Sequence, residues 1–172
     1  MSEAIAVVLR EERPGDEPAL AAIIADAFRT HPHSNHAEQH IVAALRRADA
    51  LLLSLVAEAG GQPVGHVAFS SVAIGDGNDG WVALGPLTVT PPWQGRGAGS
   101  ALVERGLATM RERGVRGCVL LGDPAFYGRF GFRADPALVR PGFAPERFLS
   151  RRFSGAPARG VVTYHEAFGA RG

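Results

Sequence analysis

The sequence contains no lysine, so all of its basic side chains other than histidine are arginines. A phosphate loop of the form G-x-x-x-x-G-K-[ST] is therefore excluded. Cys118 is the only cysteine. No intrachain disulfide is possible, and a reducing, cytoplasmic compartment is expected. Formal net charge is only +1, which argues against a nucleic-acid binder, since these carry a strongly basic face. No run approaches the ~20 apolar residues of a membrane span. The opening "MSEAIAVVLREERP" holds acidic residues and a short apolar run, unlike a secretory signal. What remains is 172 residues, 46% hydrophobic and 20% charged. That composition suits one compact globular domain spanning 1–172.

Ala4 to Arg10 reads as a short strand. Asp16 is a candidate helix cap, and Leu20, Ile23, Ile24, Ala27 and Phe28 then recur with helical spacing. Asn35 with Glu38 resembles a capping box ahead of Ile41, Val42 and Leu45, a second helix. Leu51 to Ile74 reads as a β-hairpin turning at "AGGQP". "GDGNDG" is a further turn, and Trp81 to Thr90 a third apolar strand. Val103, Leu107 and Met110 mark one face of an amphipathic helix that Gly114 closes. "GCVLL" is a buried strand, reached by a parallel crossover. "DPAFYGRFGF" reads as a short helix and turn, and "ERFLSRRF" and "VVTYHEAF" as two final strands. The pattern is α/β, a single domain with a mixed central sheet and flanking helices.

The most informative stretch is "TPPWQGRGAGSALVE", Thr90 to Glu104. A strand ending in a glycine turn that opens a helix presents free backbone N–H groups and the positive end of a helix dipole. Arg96 adds charge and Ser100 a hydroxyl. These features fit a pyrophosphate. The spacing G-x-G-x-G does not fit the dinucleotide fingerprint G-x-G-x-x-G, and the turn follows a meander instead of a first strand. A glycine turn without a ligand stays open at this point.

"QGRGAG", Gln94 to Gly99, resembles the Q/R-x-x-G-x-G/A signature of the GNAT superfamily of acyl-CoA-dependent N-acyltransferases. Leu87 to Val89 matches the hydrophobic strand before it, and "AFYGRFGF", Ala125 to Phe132, matches that family's second marker. "LVAEAGGQPVGHVAFSSV" and "LLGDPAFYGRFGF" are further similar to a YhbS-like bacterial branch of N-acetyltransferases. The resemblance implies a mostly antiparallel sheet with one splayed strand pair. It implies acetyl-CoA as co-substrate, its pyrophosphate on Gln94, Gly95, Arg96, Gly97, Ala98, Gly99 and Ser100. The pantetheine arm would run along Leu87, Thr88 and Val89. Gly85-Pro86 supports such a splay independently, because proline removes a ladder donor and glycine favours a bulge.

Acyl transfer to an amine needs a neutral nucleophile, a polarised carbonyl and a protonated leaving thiol. The resemblance implies direct attack in a ternary complex. Tyr127 occupies the family's aromatic position and is the candidate acid, also touching the cofactor. The Leu87 N–H is the candidate oxyanion donor. Relatives often carry a glutamate on the strand ending at Val89, whereas "WVALGPLTV" has no carboxylate. His66 is the candidate base, ahead of Glu38 and Asp123, with water shuttling as another route. Cys118 reads as core. His36 and His40 sit four apart, but no cysteine or carboxylate completes a familiar zinc pattern, so no metal is expected. Arg147, Arg151 and Arg152 form either a solvated strand edge or an attraction for an acidic acceptor. A primary amine of a small molecule or peptide is the expected acceptor, and the protein a monomer or homodimer without membrane or nucleic-acid partners. A silent acyl-CoA-binding module and another kind of nucleotide-binding domain are the alternatives.

Overall fold

A computed structural model of the chain describes residues 6–32, 34–75, 77 and 80–171. Ala4 and Ile5 of the expected first strand, His33, and Asp76, Asn78 and Asp79 of the expected turn lie outside the described residues.

Strands β1 (Val7–Glu11), β2 (Leu51–Ala59), β3 (Gln62–Ile74) and β4 (Trp81–Val89) form an antiparallel meander. The chain then enters helix α3 (Ala98–Glu112) and returns as β5 (Gly117–Leu121), parallel to β4. After the short helix α4 (Pro124–Tyr127) come β6 (Arg133–Ala134), β7 (Leu138–Val139), β8 (Phe148–Arg152) and β9 (Gly160–Tyr164). The main path across the sheet is β1-β2-β3-β4-β5-β8-β6, while β9 pairs with the distal end of β3 and with β7. The two final strands therefore exist as expected but join different neighbours.

Side chains alternate between faces along a strand. On one face Val67 and Phe69 of β3 pack with Leu102, Val103, Leu107 and Met110 of α3. Each such fully buried side chain contributes roughly 1.5–3 kcal/mol. Gly106 lets α3 lie close to the sheet, since a Cβ there would stand 2.4 Å from the Phe69 ring. On the other face Ala68 lies under Ile24 of helix α1 (Glu17–Phe28) and Val42 of helix α2 (Glu38–Arg47). His66 and Ser70 share that second face by parity.

Local capping departs from expectation. Asp16 holds the N-cap position of α1 but makes no side-chain cap bond. Its carboxylate takes Arg10 instead, at 2.7 and 2.9 Å, because the β1–α1 turn brings the guanidinium alongside. The capping box at Asn35 and Glu38 does not form, since α2 begins at Glu38 with Ala37 as its cap. Asn35 Oδ1 accepts from Ala37 N (3.1 Å), and Glu38 instead takes the Ser34 hydroxyl.

Candidate active site

Strand β4 pairs with β5 only from Trp81 to Ala83. Farther along, Gly85 and Pro86 oppose the single residue Ala68, because Leu84 faces Phe69 and Leu87 faces Val67. Two residues against one is a bulge, as expected from the sequence. Beyond it, no described strand pairs with β4 on the β5 side. The sheet is splayed there. Thr90 N–H donates to Val64 O at 2.9 Å, toward β3. Amide direction alternates along a strand, so Thr88 also turns to β3, while Leu87 and Val89 turn to the open side. Of the three residues expected along the arm, Thr88 has its backbone turned to β3 and its side chain buried opposite His66.

The glycine turn follows directly. Trp93 N and Gln94 N close short turns onto Thr90 O (2.9 Å) and Pro91 O (3.2 Å). Gln94 Nε2 donates to Val89 O at 2.9 Å and ties the loop to β4. Gly97 sits at φ 88°, a left-handed conformation that glycine adopts without strain. The first helical bond is Ala101 N to Gly97 O, at 3.0 Å. No described residue accepts from the amides of Gly95 through Ser100. They are unspent donors at the N-terminus of a four-turn helix, the arrangement that binds phosphate. Around them stand Arg96, its guanidinium 4.9 Å from the Trp93 ring centroid, and Arg129, which donates to Ser100 Oγ at 3.3 Å. Arg129 was not foreseen. It is 29 residues from Ser100 in sequence, and only the fold, which lays the turn after α4 beside the start of α3, brings the two together.

Tyr127 ends α4, whose N-terminus is capped by Asp123 Oδ1 accepting from Ala125 N at 2.9 Å. That bond occupies the Asp123 carboxylate. The Tyr127 ring lies against Gly122, where a Cβ would stand 2.3 Å from Cε2. Phe126 and Phe132 meet it edge-on at 4.8 and 6.1 Å. Burial raises the phenol above its ordinary value, so it holds its proton at neutral pH. No described residue hydrogen-bonds its hydroxyl.

His66 is fully buried. Its Nε2 lies 2.7 Å from Ser54 Oγ, and Ser54 donates its hydroxyl proton to Glu12 Oε1 at 3.1 Å. Burial acts to raise Glu12, but hydrogen bonds and charge from Arg46 outweigh it and hold the carboxyl below its ordinary range. Ser54 has one proton and an ionised carboxylate receives it. Nε2 must therefore be the imidazole's N–H, donating to Ser54. Nδ1 is left as a bare lone pair without a partner, on the same face as the likewise unpartnered Thr88 Oγ1 and Ser70 Oγ. Burial pulls His66 from 6.5 down to about 4. Ser54 and Glu12 were not foreseen, because nothing in their local sequence marks them.

The other candidates are placed elsewhere. Cys118 is buried in the core and burial raises its thiol. His36 has φ 61° and lies before α2, so it shares no helix face with His40. Its Nδ1 meets Phe28 O at 3.1 Å. Among the described residues no cluster of histidine, cysteine and carboxylates is placed to hold a metal. Arg151 and Arg152 brace Phe130 O and Gly155 O, at 2.9 and 2.8 Å.

A splayed sheet, a bare amide row at the end of its open strand and a protonated phenol are chemically suited to a ligand that carries a diphosphate. Comparison with known proteins agrees. Residues 18–132 match the model of the acetyltransferase (GNAT) family. The chain belongs to that family and is an N-acetyltransferase by kinship. It is 36% identical over 171 residues to the uncharacterized N-acetyltransferase YhbS of Escherichia coli K12, covering 94% of this chain and 98% of that protein. A GNAT family acetyltransferase from Brucella melitensis, solved in complex with acetyl-CoA, superposes with a TM-score of 0.86 at 45% identity, over 96% of this chain and 99% of that one. The Escherichia coli YhbS structure in complex with CoA superposes at 0.89 with 34% identity, over 100% and 97%. Among the described residues no helix is long and apolar enough to cross a membrane.

Proposed function

We infer that this acetyltransferase moves an acetyl group from acetyl-CoA to a primary amine by direct attack, both substrates being bound together. The observation that carries this reading is the row of unspent amides from Gly95 to Ser100 at the end of an open strand edge. Acetyl-CoA supplies the activated acyl group and the thiol leaving group. Gly95, Gly97, Ala98 and Gly99 offer amides to its diphosphate, with Arg96, Arg129 and Ser100 adding charge and a hydroxyl. Gln94 positions the loop. Leu87 and Val89 offer backbone partners to the arm, and the Leu87 N–H meets the carbonyl oxygen as it takes on negative charge. Tyr127 gives its proton to the departing sulfur.

The amine must shed a proton as the C–N bond forms. Above pH 4 the Nδ1 lone pair of His66 is ready to take it, and the opposite nitrogen can pass a proton through Ser54 to Glu12. With a pKa of about 4, His66 relays the proton and does not store it. The buried single cysteine fits a cytoplasmic home, and 1–172 acts as one domain, as a monomer or homodimer.

Thiol release from acetyl-CoA in the presence of an amine panel tests the activity. Acetyl-CoA, but neither ATP nor NAD, should stabilise the protein, by about 2.7 kcal/mol at a hundredfold excess over Kd. Equal stabilisation by ATP would remove the basis for the reading. Cofactor binding without turnover on any amine would leave a silent binding module instead.

A further inference from the structure

A second concavity lies outside the cradle. It has a volume of about 410 Å³ and is lined by Arg140, Tyr164, His165, Glu166 and Phe168 among others. That size suits a small molecule. The Arg140 guanidinium lies 3.5 Å from the Tyr164 ring centroid and 4.2 Å from that of Phe143. Ring contacts engage the faces of a guanidinium and leave its edge N–H groups to a planar anion. No carboxylate among the described residues pairs with Arg140. The cation is half-buried, and burial pulls it below its ordinary value. A desolvated cation without a counter-ion is costly. The buried Tyr164 hydroxyl makes no hydrogen bond of ordinary geometry and lies within electrostatic reach of the Arg140 guanidinium. The Tyr164 ring packs on the cluster that holds Ala83 and Val119, the last pair joining β4 to β5 before the sheet opens. Tyr164 thus sets this pocket beside the opening of the sheet. Of the other charged and titratable lining groups, His165 spends Nδ1 on Ala167 N at 3.0 Å. Glu166 is exposed at the rim, where solvent screens its charge.

We propose that the Arg140 pocket is a carboxylate subsite, so that the acceptor is an amine carrying one carboxylate: an amino acid or the end of a peptide. This rests on the transferase reading above. The N–H groups of Arg140 take the carboxylate in a forked pair of bonds, Tyr164 donates a further one, and the acceptor's amine points toward the splayed sheet.

The experiment is a thermal-shift titration of the full chain with N-acetylglycine, its uncharged amide, a short N-acetylated peptide with a free C-terminus, and inorganic phosphate. Acetyl-CoA is run in parallel. N-acetylglycine should raise Tm and its amide should not. A larger shift from the peptide selects the peptide end over the free amino acid. Arg140→Gln should weaken N-acetylglycine by about tenfold or more, the loss of a charge-assisted pair, with the acetyl-CoA shift intact. Arg140→Lys should retain part of it. The acetyl-CoA shift also reports that each variant is folded, and its absence from the wild type would count against the transferase reading alone. An equal response to acid and amide, an unchanged response in Arg140→Gln, or a response to phosphate alone overturns the carboxylate subsite.

Discussion

Acidification should destabilise this fold through one buried side chain. His66 titrates near 6.5 when exposed and at about 4 in the folded protein. The folded value is the lower one, so the unfolded chain binds more protons between the two, and stability falls as pH drops from above 6.5 toward 4. Relative to pH 7, the loss attached to His66 is about 2 kcal/mol at pH 5 and about 3 kcal/mol by pH 4. Glu12 and Asp16 are both held below their ordinary values by arginine partners. Their losses have the same sign but fall at lower pH, so the window from 7 to 5 isolates the histidine. Urea unfolding followed by fluorescence, at steps across that window, measures the slope. His66→Gln keeps a side-chain N–H but does not titrate, so its stability should be nearly flat from pH 7 to 5 while the wild type falls. Parallel slopes for the two proteins would refute the burial argument. They would also remove the bare Nδ1 lone pair as a proton acceptor.

Tyr127→Phe should lower kcat by roughly 10²–10⁴-fold with little change in the KM for acetyl-CoA, read by thiol release; unchanged turnover rules out Tyr127 as the acid. Gly97→Ala places a side chain at φ 88°. It should cost about 1–2 kcal/mol in chemical denaturation and weaken acetyl-CoA binding by calorimetry. Gly106→Ala should cost about 1–3 kcal/mol by overpacking against Phe69, lowering Tm while leaving the acetyl-CoA affinity of the folded fraction unchanged. Glu12→Gln should leave acetyl-CoA binding intact but shift the pH–rate profile of turnover, because it removes the far end of the proton path.

The sequence by itself determined the elements and the glycine turn that opens α3. Apolar spacing placed α1, α2 and α3, and "QGRGAG" placed the cradle, because both are local: a turn of glycines has the same free amides wherever its helix packs. Gly85-Pro86 announced the bulge for the same reason. Tertiary structure decided what depends on residues distant in the chain. Arg129 meets Ser100, Ser54 and Glu12 meet His66, and Arg140 meets Tyr164, across separations that no periodicity encodes. It also decided the character of His66, since a histidine in a strand reads alike whether exposed or sealed beneath two helices. The expected capping box failed on the same ground: Asn35 and Glu38 have the right spacing, but the helix begins where the packed loop lets it. Local geometry follows from neighbouring residues, whereas burial and charge follow from the whole fold.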